Sequence, residues 1–110
     1  MLAEIAKNDK EWYVRYAAVK KLTGQALLTS IARKDDDSRI RQAAAEKLID
    51  QRIAQAVFAD IAKNDENWII RRKAVNSLTN QTILTDIAKN DKDPNVCYAA
   101  EGRLKELQKK

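Results

Sequence analysis

The chain has 110 residues, of which 45% are hydrophobic and 34% are charged, and its formal net charge is +5. It contains no histidine, which removes the commonest general base and metal ligand, and its one cysteine, Cys97, excludes an internal disulfide. No apolar run approaches the ~20 residues that span a bilayer, so we expect a protein of the cytoplasm that does not bind membranes.

A five-residue stretch recurs along the chain and defines an internal repeat. Residues 5–9, 61–65 and 87–91 are identical, and residues 31–35 are a close variant. Self-similarity at a fixed spacing is the signature of repeat architectures. It predicts one domain, 1–110, built from four repeats at residues 1–24, 25–50, 51–80 and 81–110. In each repeat a β-branched residue and then a Leu follow at the same spacing: Val14 and Leu22, Ile40 and Leu48, Ile70 and Leu78, Val96 and Leu104.

Each repeat predicts two helices, and the first carries a buried apolar stripe at the helical period. In the first repeat Met1 and Leu2 already belong to this stripe, so that helix lacks its first turn. A trimmed cap and a longer protein both fit this beginning. The stripes of the other repeats are Leu27, Leu28, Ile31, Ala32; Val57, Phe58, Ile61, Ala62; and Ile83, Leu84, Ile87, Ala88.

The second helix of each repeat has a start signal. Asp93 before Pro94 is an N-cap followed by the position where proline suits a helix, and Asp37, Asn67 and the poorer Glu11 are its counterparts. Residues 23–25, 49–51 and 79–81 are turn residues that cap the next first helix. The predicted stripes are Val14, Ala17, Ala18, Leu22 and Ile40, Ala43, Ala44, Leu48. In the third repeat Lys73 and Ala74 occupy the positions of the two adjacent alanines.

The interval from the second repeated stretch to the third is four residues longer than the other two intervals. Ile31 and Ile61 are 30 residues apart, whereas the other intervals are 26 residues, and the extra residues lie around 52–55. Four residues are close to one helical turn, so the apolar face keeps its phase. The insertion therefore predicts a longer first helix and not a break in the array.

An aspartate followed five residues later by Val or Ile and then Arg resembles the HEAT repeat, and the resemblance covers essentially the whole chain. The fourth repeat departs from it, with Cys97 in place of Arg, and no first helix carries the proline often seen in that family. The resemblance implies an all-α fold, a right-handed α-α superhelix (α-solenoid) of about four HEAT-like hairpins. It also implies a ladder of Asp and Arg at the hairpin turns: Asp9, Arg15, Asp35, Arg41, Asp65, Arg71 and Asp91.

One flank of the second helix predicts how the hairpins stack. Five positions after the Val or Ile the first three repeats have Val19, Ala45 and Val75, and the fourth has Glu101. On a helical wheel this position lies beside the Arg position. We infer that this flank faces the next hairpin and that Cys97 with Glu101 suits a hairpin with no following neighbour.

The positions one before, two after and six after the Val or Ile lie opposite the stripe. In the resembled family the second helices line a concave surface, so these residues are predicted to form a partner-binding groove; an ordinary solvated helix face is the alternative. Tyr and Arg are the residue types that anchor interfaces. The candidate binding residues are Tyr13, Tyr16, Lys20, Arg39, Gln42, Ile69, Arg72, Asn76 and Tyr98.

The sequence gives little support for a catalytic function. There is no Gly-rich phosphate loop, no metal-spaced Cys/His set and no Ser-His-Asp triad. Residues 35–37, three aspartates, are predicted to serve as turn and cap, and Cys97 as a small half-buried residue rather than a reactive thiol. Trp12 and Trp68 are predicted to cover the hairpin turn, with a stacking platform as the alternative. We therefore expect no enzyme, no cofactor and no metal site.

The expected function is a non-enzymatic scaffold whose groove binds a protein or peptide, acidic in view of the net charge. The alternative is nucleic-acid binding, with Lys20, Arg39, Arg72 and Lys73 on phosphates and tyrosines on bases. An accessory subunit or lyase-type domain is a third interpretation, which rests on fold resemblance alone.

Overall fold

The structure is a computed structural model that describes residues 2–109, so Met1 and Lys110 lie outside the described residues. Within that range the fold is all-α, as predicted, with no strand. Each of the four predicted repeats contains two helices. The helices are α1 (Leu2–Asn8), α2 (Trp12–Lys21), α3 (Gln25–Lys34), α4 (Ser38–Glu46), α5 (Gln51–Asn64), α6 (Trp68–Val75), α7 (Gln81–Asn90) and α8 (Pro94–Gln108).

The chain divides into two compact units, residues 1–57 and 58–110, which we call the N-terminal half and the C-terminal half. In the N-terminal half α1 packs on α2 and α3 packs on α4, while α1 also contacts α3 and α2 contacts α4. One hairpin thus stacks on the next, first helix against first helix and second against second. In the C-terminal half α7 packs on α8, and α6 packs on α8.

The helix starts follow from short polar side chains that accept hydrogen bonds from the first free backbone N–H groups. Asp37, Asn67 and Asp93 each accept from the residue two positions on, at 2.8–2.9 Å. Glu11 occupies the same position without a side-chain cap bond, in agreement with its poorer capping chemistry. Asn80 caps α7 through the N–H of Ile83 at 3.0 Å. These predicted caps are confirmed.

The four extra residues of the third repeat lengthen a helix, as predicted. Helix α5 has 14 residues, whereas α3 and α7 have 10 each. Because the insertion adds about one turn, Ala54, Val57, Phe58, Ile61 and Ala62 all remain on the buried side of α5.

The predicted stripes form most of the core, but Leu2 and Ile5 are exposed, and Val14, Leu27, Ile83 and Ala88 are only half-buried. Leu28, Ile31, Ile40 and Leu48 are buried, as are Val19, Ala45 and Val75 on the predicted stacking flank, and Glu101 is exposed. Ala17 was predicted to be buried but is exposed, because α2 contacts α1 and α4 with other faces. Lys73 is also exposed, so of the two adjacent positions 73 and 74 only Ala74 contributes to the core of the third repeat.

An arginine early in the second helix secures its own hairpin turn. The Nη1 group of Arg15 donates to the backbone carbonyl of Asp9 at 2.8 Å, six residues before it. In the fourth repeat the Cys97 thiol donates to the equivalent carbonyl, that of Asp91, at 3.2 Å. The cysteine side chain thus keeps the bond to the turn carbonyl, but it is too short to reach a second partner as an arginine can. The same bond joins Arg41 to Asp35 and Arg71 to Asp65, each at 2.7 Å.

The other side of the guanidinium binds an aspartate twenty residues later. In the N-terminal half Arg15 donates to both carboxylate oxygens of Asp35, at 3.1 and 3.3 Å. In the C-terminal half Arg71 donates to Asp91 in the same way, at 3.0 and 3.2 Å. The four side chains are only 4–10% exposed. The bidentate geometry fixes the register of consecutive turns.

A second kind of bond runs from a cation in or just after one second helix to carbonyls near or beyond the end of the preceding second helix. Lys47, after α4, donates to the carbonyls of Val19 and Lys20 near the end of α2, at 3.1 and 2.7 Å. In the C-terminal half Arg103 of α8 donates to the carbonyl of Leu78 at 2.8 Å. A cation near the last carbonyls of a helix satisfies acceptors that lack an intrahelical donor.

The contribution of the arginine–aspartate pair can be measured against an adjacent carboxylate. Asp35→Ala removes the buried partner of Arg15 and leaves it only the exposed Asp36 carboxylate; breaking a buried pair by removing one partner costs up to about 3–5 kcal/mol. Asp36→Ala removes a side chain that is 95% exposed and also contacts Arg15, so little stability is lost. Thermal unfolding followed by circular dichroism should show the larger fall in Tm for Asp35→Ala. Equal falls would contradict a structural role for this pair.

Candidate interaction faces

The candidate binding residues lie on the second helices, and each half presents its own set. In the N-terminal half α2 and α4 lie side by side and carry Tyr13, Tyr16, Lys20, Arg39 and Gln42. In the C-terminal half α6 packs against α8, and the set is Ile69, Arg72, Asn76 and Tyr98. Each half therefore presents a face of its own.

Three aromatic rings cluster at the start of α2. The Trp12 ring meets those of Tyr13 and Tyr16 edge to face, with centroid distances of 6.1 and 6.2 Å and interplanar angles of 90° and 71°. Aromatic pairs prefer this geometry, because the positive ring edge points at the negative face. Tyr13 is 56% exposed and Trp12 38% exposed. The N-terminal half therefore carries an aromatic surface that water contacts.

Two cations border this cluster. The guanidinium carbon of Arg39 lies 3.6 Å from the centroid of the Trp12 ring, and Lys20 Nζ lies 5.4 Å from that of Tyr16. Both distances are within the range of cation–π attraction. Trp12 therefore links α2 to α4 through the Arg39 guanidinium. Its position next to Tyr13 was the only sequence signal that it belongs to the face.

Arg39 is held from its other side by Asp37. The Arg39 Nη2 and Nε groups donate to the Asp37 carboxylate at 2.7 and 3.0 Å, and the Arg39 backbone N–H donates to it at 2.9 Å. The side-chain hydrogen bond from Arg39, more than any other cause, holds the pKa of Asp37 below its ordinary value. Asp37 thus caps α4 and orients the guanidinium over Trp12.

Gln42 does not belong to the exposed face, contrary to the prediction. Its side chain is 1% exposed, and its Nε2 group donates to Glu46 Oε2 at 3.2 Å. Helix α4 packs against both α2 and α3, and the small side chains of Ala43, Ala44 and Ala45 let neighbouring helices approach its backbone closely. More of its surface is therefore covered than a single buried stripe predicts, and Gln42 is unavailable to a partner.

The face of the C-terminal half is exposed throughout. Ile69 is 48% exposed and Tyr98 75% exposed, and Arg72 and Asn76 are also exposed. The Arg72 guanidinium carbon lies 5.2 Å from the Trp68 ring centroid, so the ring contacts a cation of its own helix. This face combines an apolar side chain, a cation and a tyrosine without the ring cluster of the other half.

Metal ligation and membrane spanning were both sought among residues 2–109. No group of three or more His, Cys, Asp or Glu side chains in this range is placed to hold a metal ion. No helix in the described part of the chain is long and apolar enough to cross a membrane. Comparison with protein-family models, with curated proteins and with solved structures finds no match.

The Asp37–Arg39 pair predicts a pH dependence with a defined sign. A carboxyl whose pKa is lowered by folding stabilises the folded state above its ordinary pKa, and that stability is lost as the pH falls through the folded-state pKa. In an NMR titration of the carboxyl carbons, Arg39→Ala should raise the pKa of Asp37 towards its ordinary value. Asp50, whose pKa is lowered by the hydrogen bond from Arg52, should titrate unchanged in this variant. An unchanged Asp37 titration would contradict the assignment.

Proposed function

We propose that the chain is a HEAT-type α-solenoid scaffold that performs no chemistry itself and binds an acidic peptide segment of another protein. The observation that carries this proposal is the exposed cluster of Trp12, Tyr13 and Tyr16 on α2, bordered by Lys20 and Arg39. The solenoid interpretation is supported by the stacking of α1 on α3 and α2 on α4, and by the pairs twenty residues apart, Arg15–Asp35 and Arg71–Asp91.

The aromatic cluster has the features of an anchor site. Large amphipathic rings provide contact area at low conformational cost, and they dominate measured interface energies. The edge-to-face contacts restrain the rings of Trp12 and Tyr16 before a partner arrives. Tyr13, the most exposed of the three, is left to contact the partner. Such preorganisation reduces the entropy lost on binding.

The charge of the face favours an acidic occupant. Lys20 is exposed, and its ammonium group lies over Tyr16 at the border of the cluster. The chain as a whole carries a formal net charge of +5. A peptide that combines an apolar side chain for the rings with a carboxylate for Lys20 would match both properties.

Nucleic acid matches this face less well. Stacking on a base needs an open ring face, and one face of Trp12 is occupied by Arg39 at 3.6 Å. Arg39 is also paired with Asp37, which compensates much of its charge and weakens its attraction for a phosphate. Lys20, Lys73 and Arg72 remain exposed, and nucleic-acid binding stays the alternative. The accessory-subunit or lyase interpretation stays a prediction from resemblance alone.

Selection from a displayed peptide library on the wild-type chain alone tests the proposal, and the affinity of the enriched peptides is then measured for the wild type and for the Tyr13→Ala/Tyr16→Ala variant. We expect enriched peptides to carry Asp or Glu next to an apolar residue, and to bind the variant at least ~10-fold more weakly because an anchor side chain contributes 2 kcal/mol or more. Tyr98→Ala is the matched control, since it removes an exposed tyrosine from the other half, and it should bind like the wild type.

Equal binding by the wild type and the double variant would overturn this assignment of the face. A parallel titration with a single-stranded oligonucleotide addresses the alternative. Tight binding that weakens steeply between low and physiological salt, together with loss on Lys20→Ala, would favour nucleic acid instead.

A further inference from the structure

A cleft lies between α1 and α3 in the N-terminal half. It has a volume of about 150 Å³ and is lined by Lys7 of α1 and by Ser30, Ile31, Lys34 and Asp35. Pockets that take drug-sized ligands measure ~300–1,000 Å³. This cleft, which we call the α1/α3 cleft, therefore has room for a small ion or for one terminal group of a larger molecule.

The lysines of this cleft are not paired with acidic side chains of the described chain. Lys7 and Lys34 are exposed, and within residues 2–109 neither has a carboxylate at ion-pair distance. Ser30 is half-buried, and its hydroxyl forms no hydrogen bond to the same part of the chain. Two ammonium groups and a hydroxyl are therefore available as donors to a bound anion.

The acidic side chain that lines the cleft is already neutralised. Both carboxylate oxygens of Asp35 accept hydrogen bonds from Arg15, at 3.1 and 3.3 Å, and the Asp35 side chain is only 5% exposed. A guanidinium group in bidentate contact compensates the carboxylate charge. The charges left at the cleft are those of the lysines, which favour a ligand with about two negative charges.

The C-terminal half has a cleft of nearly the same size at the same positions of the repeat. This α5/α7 cleft measures about 160 Å³ and lies between the end of α5 and α7. It contains Lys63, Ile87 and Asp91 where the α1/α3 cleft has Lys7, Ile31 and Asp35. Its presence in both halves indicates that the repeat itself creates the cleft.

The two clefts differ at two positions that decide their charge. Ser30 and Lys34 correspond to Asp86 and Asn90 in the α5/α7 cleft, where the Asn90 Nδ2 group donates to Asp86 at 2.7 Å. A carboxylate thus stands in place of the hydroxyl, and an amide in place of the second ammonium group. An anion is therefore favoured in the α1/α3 cleft and disfavoured in its counterpart.

We propose that the α1/α3 cleft binds one phosphate group, with Lys7 and Lys34 as its counter-ions and the Ser30 hydroxyl as a hydrogen-bond donor. A phosphate monoester carries about −1.5 to −2 charges near neutral pH and has three acceptor oxygens, which match two ammonium groups and a hydroxyl. A carboxylate brings half of that charge. The lining residues belong to α1, α3 and the turn after α3, so this site is separate from the aromatic face, and the proposal does not depend on the proposed function.

An NMR titration of the full chain with inorganic phosphate and, in parallel, with phenyl phosphate tests the proposal. The backbone amide signals of residues 30–35 should change position and saturate. Tighter binding of phenyl phosphate would identify the natural ligand as a monoester, and tighter binding of inorganic phosphate would identify it as the free ion. Acetate, with one charge, should bind at least ~10-fold more weakly than either.

Lys34→Asn, which introduces the residue of the α5/α7 cleft, should weaken phosphate binding at least ~10-fold because a charged donor is lost. Arg33→Asn is the matched control. Arg33 is exposed next to Lys34 in the last turn of α3 and removes the same charge, but it does not line the cleft. Its loss should change the affinity less than ~2-fold, because exposed charges outside the site are screened by solvent and salt.

The reverse exchange tests the two deciding positions. Asp86→Ser/Asn90→Lys gives the α5/α7 cleft the composition of the α1/α3 cleft at two exposed positions, and it should add a second set of saturable changes at residues 86–91. No saturable binding by the wild type, or equal weakening by Lys34→Asn and Arg33→Asn, would overturn the proposal. Acetate binding as tight as that of phosphate, or no gain of binding in the exchanged cleft, would also overturn it.

Discussion

A buried guanidinium group that binds two turns at once is the interaction on which the rest of this structure depends. Arg15 and Arg71 are 9% and 3% exposed, and each donates to the carbonyl of its own turn and to the carboxylate of an aspartate twenty residues later. Burying such a charge is costly unless its donors are satisfied, so the pair contributes more to specificity than to net stability. Because each arginine bonds to its own turn and to a later turn at once, the pair restrains how these two turns lie against each other.

The faces of the second helices inherit their geometry from this bond. Because Arg15 fixes the start of α2 next to the turn before α4, Trp12 comes to lie against Arg39, and the Tyr13 and Tyr16 rings are grouped around it. Lys47 fixes the other end of α2 through the carbonyls of Val19 and Lys20. A helix restrained at both ends presents its side chains at a reproducible angle, which suits a binding surface.

Helix positions, caps and most buried residues could be predicted from the sequence because they depend on local spacing, and the repeat supplied several copies of each signal. The extra turn of α5 followed from the same periodicity. Which faces of a second helix are covered by its neighbours could not be predicted this way. Gln42 is buried on α4 and Ala17 is exposed on α2, although each of these helices packs against two others. The bonds of Lys47 and Arg103 were also missed, because a cation seven residues after the β-branched position occurs in only some repeats and its acceptor is a backbone carbonyl.

The most direct measurement is a double-mutant cycle on the Arg71–Asp91 pair, whose side chains are 4% and 7% exposed. The free energies of unfolding of Arg71→Met, Asp91→Asn, the double variant and the wild type would be obtained by urea denaturation. If this bond holds consecutive turns together, the free energies of unfolding lost in the two single variants should add up to more than the loss in the double variant. The difference, the coupling energy, should be about 1–3 kcal/mol. Additivity within about 0.3 kcal/mol would show that the two residues act independently and would contradict the account.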